Sequence, residues 1–335
     1  MILLTGGLGY IGSHAATLLA AQNIDFVILD NLSNSKLDVI PRLEHICQKP
    51  IKFIQADIRD RAALDQVFQD YPIQSVIHFA GLKAVGESMQ KPLEYFDNNI
   101  NGSIQLFEAM ADAGVYSLVF SSSATVYGEN ENCELVETMP IAMPTNNYGY
   151  TKLIIEQMLQ KLAISNPAWS IAILRYFNPI GAHRSGLIGE DPQGIPNNLL
   201  PFVAKVATGE LPILNVFGND YPTPDGTAIR DYIHVMDLVD GHIKALNYTK
   251  NKTGAFIWNL GTGNGSSVLE IVQNFEKVTE QKVPYQIAPR REGDIAACWA
   301  NPNKSKRELG WQAQFNLEHM IEDLWRWQKY NANRH

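Results

Sequence analysis

The chain has 335 residues, a formal net charge of -8, 45% hydrophobic and 19% charged residues, a composition that excludes disordered and fibrous classes. The acidic balance argues against nucleic acid as a partner, because such a surface needs a basic patch. Three scattered cysteines, Cys47, Cys133 and Cys298, fit a reducing compartment; with neither an export signal nor an apolar run of bilayer length, the expected location is cytoplasmic, away from any membrane.

Ile2 to Thr5 reads as a short apolar strand, followed by Gly6-Gly7-Leu8-Gly9-Tyr10-Ile11-Gly12 and a helical run from Ser13 to Ala21. Glycines at Gly6, Gly9 and Gly12 permit a tight turn, close approach of backbone to a pyrophosphate and close helix packing, with the phosphates on the helix N-terminus. The second strand, Asp25 to Asp30, ends in an acid 18 residues beyond Gly12, placed to accept hydrogen bonds from a ribose diol. No arginine follows to receive a 2′-phosphate, so the pattern favours NAD over NADP.

Strands and helices keep alternating, which marks a parallel sheet covered by helices. Ile51 to Ala56 reads as the third strand, ending at Asp57; Arg61 to Tyr71 is a helix and Ser75 to Ala80 the fourth strand, followed by Gly81-Leu82-Lys83. One long helix is expected from Pro92 to Ala113, on the spacing of Phe96, Ile100, Phe107 and Met110. Ser117 to Ser121 and Ser170 to Phe177 complete six strands of a Rossmann-type doubly wound α/β domain, assigned to residues 1–178. Ligands of such sheets lie beyond the C-terminal strand ends, so Asp57, Phe79 to Lys83 and Ser121, Ser122 and Ser123 are expected around one crevice.

Tyr148 and Lys152 open the next helical pattern, four residues apart and so on one helix face. A cation beside a phenol favours the phenolate, so Lys152 is expected to lower the Tyr148 pKa toward the range of a useful general base, with a strand-end hydroxyl sharing the proton.

Beyond Asn178 the pattern changes. Gly, Pro and Asn are dense from Pro179 to Pro201, and helices are expected at about Leu199 to Thr208, Val235 to Tyr248, Val268 to Thr279 and Leu317 to Tyr330. Residues 179–335 read as a smaller α/β substrate-binding lobe, with segments returning to the first domain near 229–248 and a strand rejoining its sheet near Ile229 to Val235. The eight histidines show no metal-ligand spacing, so no metal is expected, and no G-x-S-x-G elbow marks a serine hydrolase.

Thr5 to Gly12, Ser121 to Gly128, Tyr148 to Lys152, Arg175-Tyr176-Phe177-Asn178 and Arg230 to Val235 together resemble the extended short-chain dehydrogenase/reductases. Phe79 to Ser88 and Ala288 to Asp294 narrow the resemblance to their UDP-sugar 4-epimerase branch, from the first strand to about Trp327. The resemblance implies NAD-dependent interconversion of UDP-glucose and UDP-galactose through a 4-keto sugar, with tightly held NAD that is not consumed. It implies that Tyr10, Ile11, Asp30, Asn31, Ser35, Asp57 and Ile58 hold the cofactor, together with Phe79, Ala80, Lys83, Asn98 and Phe177. Ser123, Tyr148 and Lys152 are the implied catalytic set. The UDP-sugar falls to Asn178, Asn198, Leu199, Phe217, Arg230, Arg291 and Asp294, alongside Lys83, Ser123 and Tyr148.

Nucleotide-sugar dehydratases and decarboxylases of this family carry an acid just after the strand-end serines; here those positions are Ala124 and Thr125, so return of the hydride is the expected outcome. Cys298 stands where many hexose-restricted relatives carry a tyrosine, and its small side chain implies room for an N-acetyl group. The helix from Pro92 and the one after Tyr148, with Leu153, Ile154, Ile155, Met158, Leu159 and Leu162, have apolar surface to spare, and the resemblance implies a homodimer built on them. A pentose-nucleotide 4-epimerase and a non-catalytic dinucleotide-binding regulator are the alternative readings.

Overall fold

A computed structural model describes residues 1–130, 132–192, 196, 198–291 and 294–333. The first half alternates as the sequence predicts: β1 (Ile2–Thr5), α1 (Tyr10–Ala21), β2 (Phe26–Asp30), α2 (Val39–Cys47), β3 (Phe53–Gln55), α3 (Arg61–Asp70) and β4 (Ser75–His78). Then come α4 (Val85–Gln90), α5 (Pro92–Tyr95), α6 (Gly102–Asp112), β5 (Ser117–Ser121), β6 (Glu134–Leu135), α7 (Asn147–Ser165) and β7 (Ser170–Tyr176). The second half contributes β8 (Asn178–Ile180), α8 (Leu199–Ala207), β9 (Leu214–Phe217), β10 (Ile229–His234), α9 (Val235–Thr249) and β11 (Gly254–Leu260). It finishes with β12 (Gly265–Ser267), α10 (Val268–Thr279), β13 (Tyr285–Ala288), β14 (Ala297–Ala300), α11 (Asn303–Leu309) and α12 (Leu317–Ala332).

Seven parallel strands form the main sheet in the order β11-β7-β5-β4-β1-β2-β3. Their near-continuous apolar runs follow from burial on both faces. Ile2, Leu4, Ile28 and Ile77 point into one core layer, whereas Leu3, Val27, Leu29 and Val76 point into the other. A second sheet runs β12-β10-β14-β6, with β8 also paired to β10, and β9 pairs β13 separately. No helix among the described residues is long and apolar enough to cross a membrane.

Two expectations need correction. The strand at Ile229–His234 joins the second sheet, and the first sheet is extended instead by β11, which pairs along its whole length with β7. The helix that follows β10, α9, does pack against α1, β5 and β7. The expected helix from Pro92 to Ala113 is not regular: Phe96–Asn101 form a wider π-helical turn between α5 and α6. There Asn99 is buried, donating to Leu82 O and Thr151 Oγ1 and accepting from Leu82 N, so its side chain ties this turn to the loop that follows β4 and to α7. π turns of this kind are often found at functional sites.

Candidate active site

A cavity of about 600 Å³ opens beyond the C-terminal ends of the main sheet. Its floor is the β1–α1 turn, with Gly6, Gly9, Tyr10, Ile11 and Gly12. Glycine is required there: Gly6 has φ +67°, and a Cβ on it would lie 2.7 Å from Ala80 N, while one on Gly12 would lie 2.4 Å from Gly6 O. This cradle of bare backbone at a helix N-terminus fits a pyrophosphate. At the end of β2, Asp30 accepts from Leu8 N at 3.0 Å, Leu32 N at 2.9 Å and Ser35 Oγ at 2.8 Å. A carboxylate has about four acceptor positions, so these bonds fix Asp30 and leave capacity for a hydroxyl. Asn31, Ser35 and Ile58 line the same end, and Phe79, Ala80, Lys83, Asn98, Ser121, Tyr148 and Lys152 line the rest.

Asp57 is placed differently. It does not line the cavity although its neighbours Ala56 and Ile58 do. Its carboxylate is bound by Arg59, which holds its pKa down to about 2, and it also accepts from Asn31 Nδ2 at 2.9 Å. Asp57 therefore positions Asn31.

Asn146 caps α7 by accepting from Gly149 N at 2.8 Å, and this fixes where Tyr148 and Lys152 emerge. Lys152 Nζ donates to Ser121 O at 2.8 Å and lies 5.9 Å from the centre of the Tyr148 ring. The expectation that Lys152 lowers the Tyr148 pKa is not met. Burial dominates and raises it, with Tyr176 adding to the rise and the hydrogen bond to Ser123 opposing it. Burial also lowers the Lys152 pKa to about 8, against the pull of Glu156. Spacing in a sequence shows which side chains share a face, but not how much water the fold removes from them.

The residues expected at the sugar and uridine end are spread over several places, and Phe177, expected at the cofactor, lies among them rather than in the cavity lining. Phe217, Arg230, Arg291 and Asp294 come together: Asp294 accepts from Arg291 Nε at 2.9 Å and lies 3.7 Å from Arg230 Nη2, while the Arg291 guanidinium sits 4.8 Å from the Phe217 ring centre. Glu292 and Gly293 of this motif lie outside the described residues. Phe177 and Cys298 pack into one cluster with Val126 and Tyr127, and Cys298 lies in register with Arg230. Ser123 Oγ accepts from Thr125 N and Thr125 Oγ1, within the turn that follows β5. Asn198 lines the cavity, Asn178 pairs in register with Tyr232, and Leu199 turns toward the core of the second half.

The structure adds cavity residues beyond those expected: Tyr95, Tyr176, Glu190 and Asp191. Tyr176 sits inside the Arg175 to Asn178 motif and was within reach of the sequence; Glu190 and Asp191 lie in a loop with no periodic signal. No cluster of three or more metal-binding side chains occurs among the described residues.

A glycine cradle, an acid at the second strand end and a buried Ser, Tyr and Lys around one cavity define a nucleotide-binding enzyme of the short-chain dehydrogenase/reductase class. Residues 3–324 match the family described as GDP-mannose 4,6 dehydratase. The UDP-glucose 4-epimerase of Bacillus subtilis (strain 168) is 57% identical over 332 residues, covering 99% of this chain and 98% of that protein. Two solved structures superpose over 100% of this chain and 99% of theirs. One is UDP-glucose-4-epimerase from Stenotrophomonas maltophila with bound NAD and formylated UDP-arabinopyranose, at TM-score 0.97 and 50% identity. The other, from Bifidobacterium longum with NAD+ and UDP, has TM-score 0.96 and 48% identity. This chain belongs to the UDP-glucose 4-epimerase family.

Proposed function

We propose that the protein interconverts UDP-glucose and UDP-galactose by transient oxidation at sugar C4, with NAD as a retained cofactor. The observation that carries this reading is the convergence of Tyr148, Lys152 and Ser121 with the glycine cradle and Asp30 in one cavity. NAD held in this cavity would supply reversible hydride acceptance at the sugar C4, together with the positive charge of its oxidised ring. Tyr148 takes the proton from the 4-hydroxyl and gives it back, Ser123 shares that proton, and Lys152 holds its ammonium beside the phenol. Because burial raises the Tyr148 pKa, proton release there depends on the cationic charge around it. Gly6, Gly9, Tyr10, Ile11, Gly12, Asp30, Asn31, Ser35 and Ile58 hold the dinucleotide, with Asp57 acting through Asn31. The Phe217, Arg230, Arg291 and Asp294 group takes the UDP diphosphate and base, since paired guanidinium forks match a diphosphate.

Ala124 and Thr125 offer no acid after the strand-end serines, which separates this chain from the dehydratase chemistry in its family description. A non-catalytic regulator and a pentose-specific enzyme are not favoured beside full-length relatives called UDP-glucose 4-epimerase. Residues 1–178 act as the NAD unit and 179–335 as the UDP-sugar lobe. The protein works in the cytoplasm as a homodimer; apolar side chains left exposed on the helices concerned, including Leu93, Ile104 and Ile164, support self-association. Light scattering that reports a monomer at micromolar concentration overturns the dimer. Tyr148→Phe should cut turnover of UDP-galactose by several orders of magnitude, whereas near-normal turnover refutes the assigned acid/base role.

A further inference from the structure

The segment Gly181 to Pro192 comes from the second half of the chain, yet it crosses the cavity of the first. Glu190, Asp191 and Pro192 form part of the cavity lining. The strap is pinned at several points. Tyr10 Oη donates to Gly181 O at 2.7 Å and Arg42 Nη1 to Leu187 O at 3.2 Å. Ile188 is buried in the core layer beneath it. Gly189 packs so tightly against Trp327 of α12 that a Cβ there would lie 2.3 Å from the indole, and Trp327 Nε1 donates to Glu190 O at 3.2 Å.

Two ion pairs then join the strap to opposite ends of the cavity. Asp191 Oδ2 meets Lys36 Nζ at 2.7 Å, next to Ser35 and the diol-binding Asp30. Glu190 Oε1 meets Lys83 Nζ at 2.8 Å, and both its oxygens accept from Asn198 Nδ2, at 2.8 and 3.1 Å. Carboxylates are the wrong charge to ligate a pyrophosphate. Their place at the roof of such a cavity is explained by the lysines that they hold.

We propose that this strap is a latch that sets the rate of NAD exchange, with Asp191–Lys36 and Glu190–Lys83 as its two catches. The inference rests on the reading that NAD fills this cavity. A reaction that returns its hydride to the donor carbon needs no cofactor turnover, so slow exchange costs the enzyme nothing. A latch slows admission and escape together and leaves affinity nearly unchanged, unlike a ligating residue, which alters affinity through escape. Opening needs both catches broken, while Ile188 and Trp327 keep the strap's base in place.

The test compares holoenzyme of wild type, Asp191→Asn, Lys36→Met and their double variant. Exchange of bound NAD against excess isotopically labelled NAD is followed after rapid gel filtration, beside the equilibrium affinity for NAD. Each single variant is expected to exchange at least about tenfold faster, equivalent to about 1.4 kcal/mol off the opening barrier. The double variant should match the singles, because both remove the same catch, and affinity should change by less than about threefold. Lys36→Met breaks that catch without altering the strap, so it decides the matter if Asp191→Asn folds poorly. Glu190→Gln tests the second catch separately. Unchanged exchange in Lys36→Met and Glu190→Gln, or faster escape matched by an equal loss of affinity, overturns the latch. A wild type that neither carries nor takes up NAD overturns the cofactor reading instead.

Discussion

Lys152→Met should make the folded protein more stable while removing its activity. Lys152 is 5% exposed, and burial holds its ammonium pKa at about 8 against an ordinary 10.5. That interval, at about 1.4 kcal/mol per tenfold, sets the cost of the charged form at about 3 kcal/mol of stability. The folded pKa lies below the unfolded one, so the unfolded chain holds more protons between pH 8 and 10.5, and stability rises with pH across that window. Near neutral pH, below both values, the full cost is present. Methionine keeps the length and apolar stem but leaves Ser121 O without its 2.8 Å donor, a loss of about 1 kcal/mol. The net expectation is a gain of about 2 kcal/mol at neutral pH, fading and then reversing as the pH approaches 10.5. Chemical denaturation of NAD-free wild type and variant across that range measures the difference directly and cancels the other titrating groups. A difference that is flat with pH, or a variant less stable than wild type at neutral pH, refutes the reasoning.

Glu156→Gln should lose about 3–5 kcal/mol, read as a lower melting temperature. The Arg175–Glu156 pair lies at 2.7 Å with side chains 2% and 0% exposed, and the change leaves the arginine buried without its counter-charge. Gly12→Ala should abolish co-purified NAD, measured by absorbance of released cofactor, because its Cβ would meet Gly6 O and Gly7; Gly86→Ala, where a Cβ meets nothing within 4 Å, should leave NAD content unchanged. Wild type should epimerise UDP-N-acetylglucosamine as well as UDP-glucose, and Cys298→Tyr should eliminate the first activity while sparing most of the second. The new ring would crowd the cluster of Tyr127 and Phe177, and chromatographic product analysis with both substrates separates steric exclusion from general damage.

The glycine turn, the terminal acid of β2 and the strands β1 to β5 and β7 are legible because each carries a local signal: a required backbone conformation, or an apolar run buried on both faces. Asp30, Tyr148 and Lys152 follow from position on such elements. What the sequence hides is set by tertiary context. β6, β8 and β12 have two or three residues and exist only because β10 and β14 pair with them. Gly254–Leu260 has strand-forming residues, but only the assembled sheet shows β7 as its partner. The π turn at Phe96–Asn101 serves Asn99, whose bonds reach the loop after β4 and α7. The Tyr148 pKa runs opposite to its i,i+4 expectation because burial raises it, with only the hydrogen bond to Ser123 opposing the rise.

The exchange of strands between the two sheets has a consequence for how the chain is made. β6, synthesised early, completes the second sheet, and β11, synthesised late, completes the first. A nascent chain emerging from the ribosome therefore displays the full edge of β7 until Leu260 has cleared the exit tunnel, and an unpaired parallel edge invites pairing with other nascent chains. Neither half can be translated, truncated or grafted alone without stranding an edge. The order of synthesis obliges the two sheets to mature together, which favours inheritance of the gene as one indivisible unit over recombination of its halves.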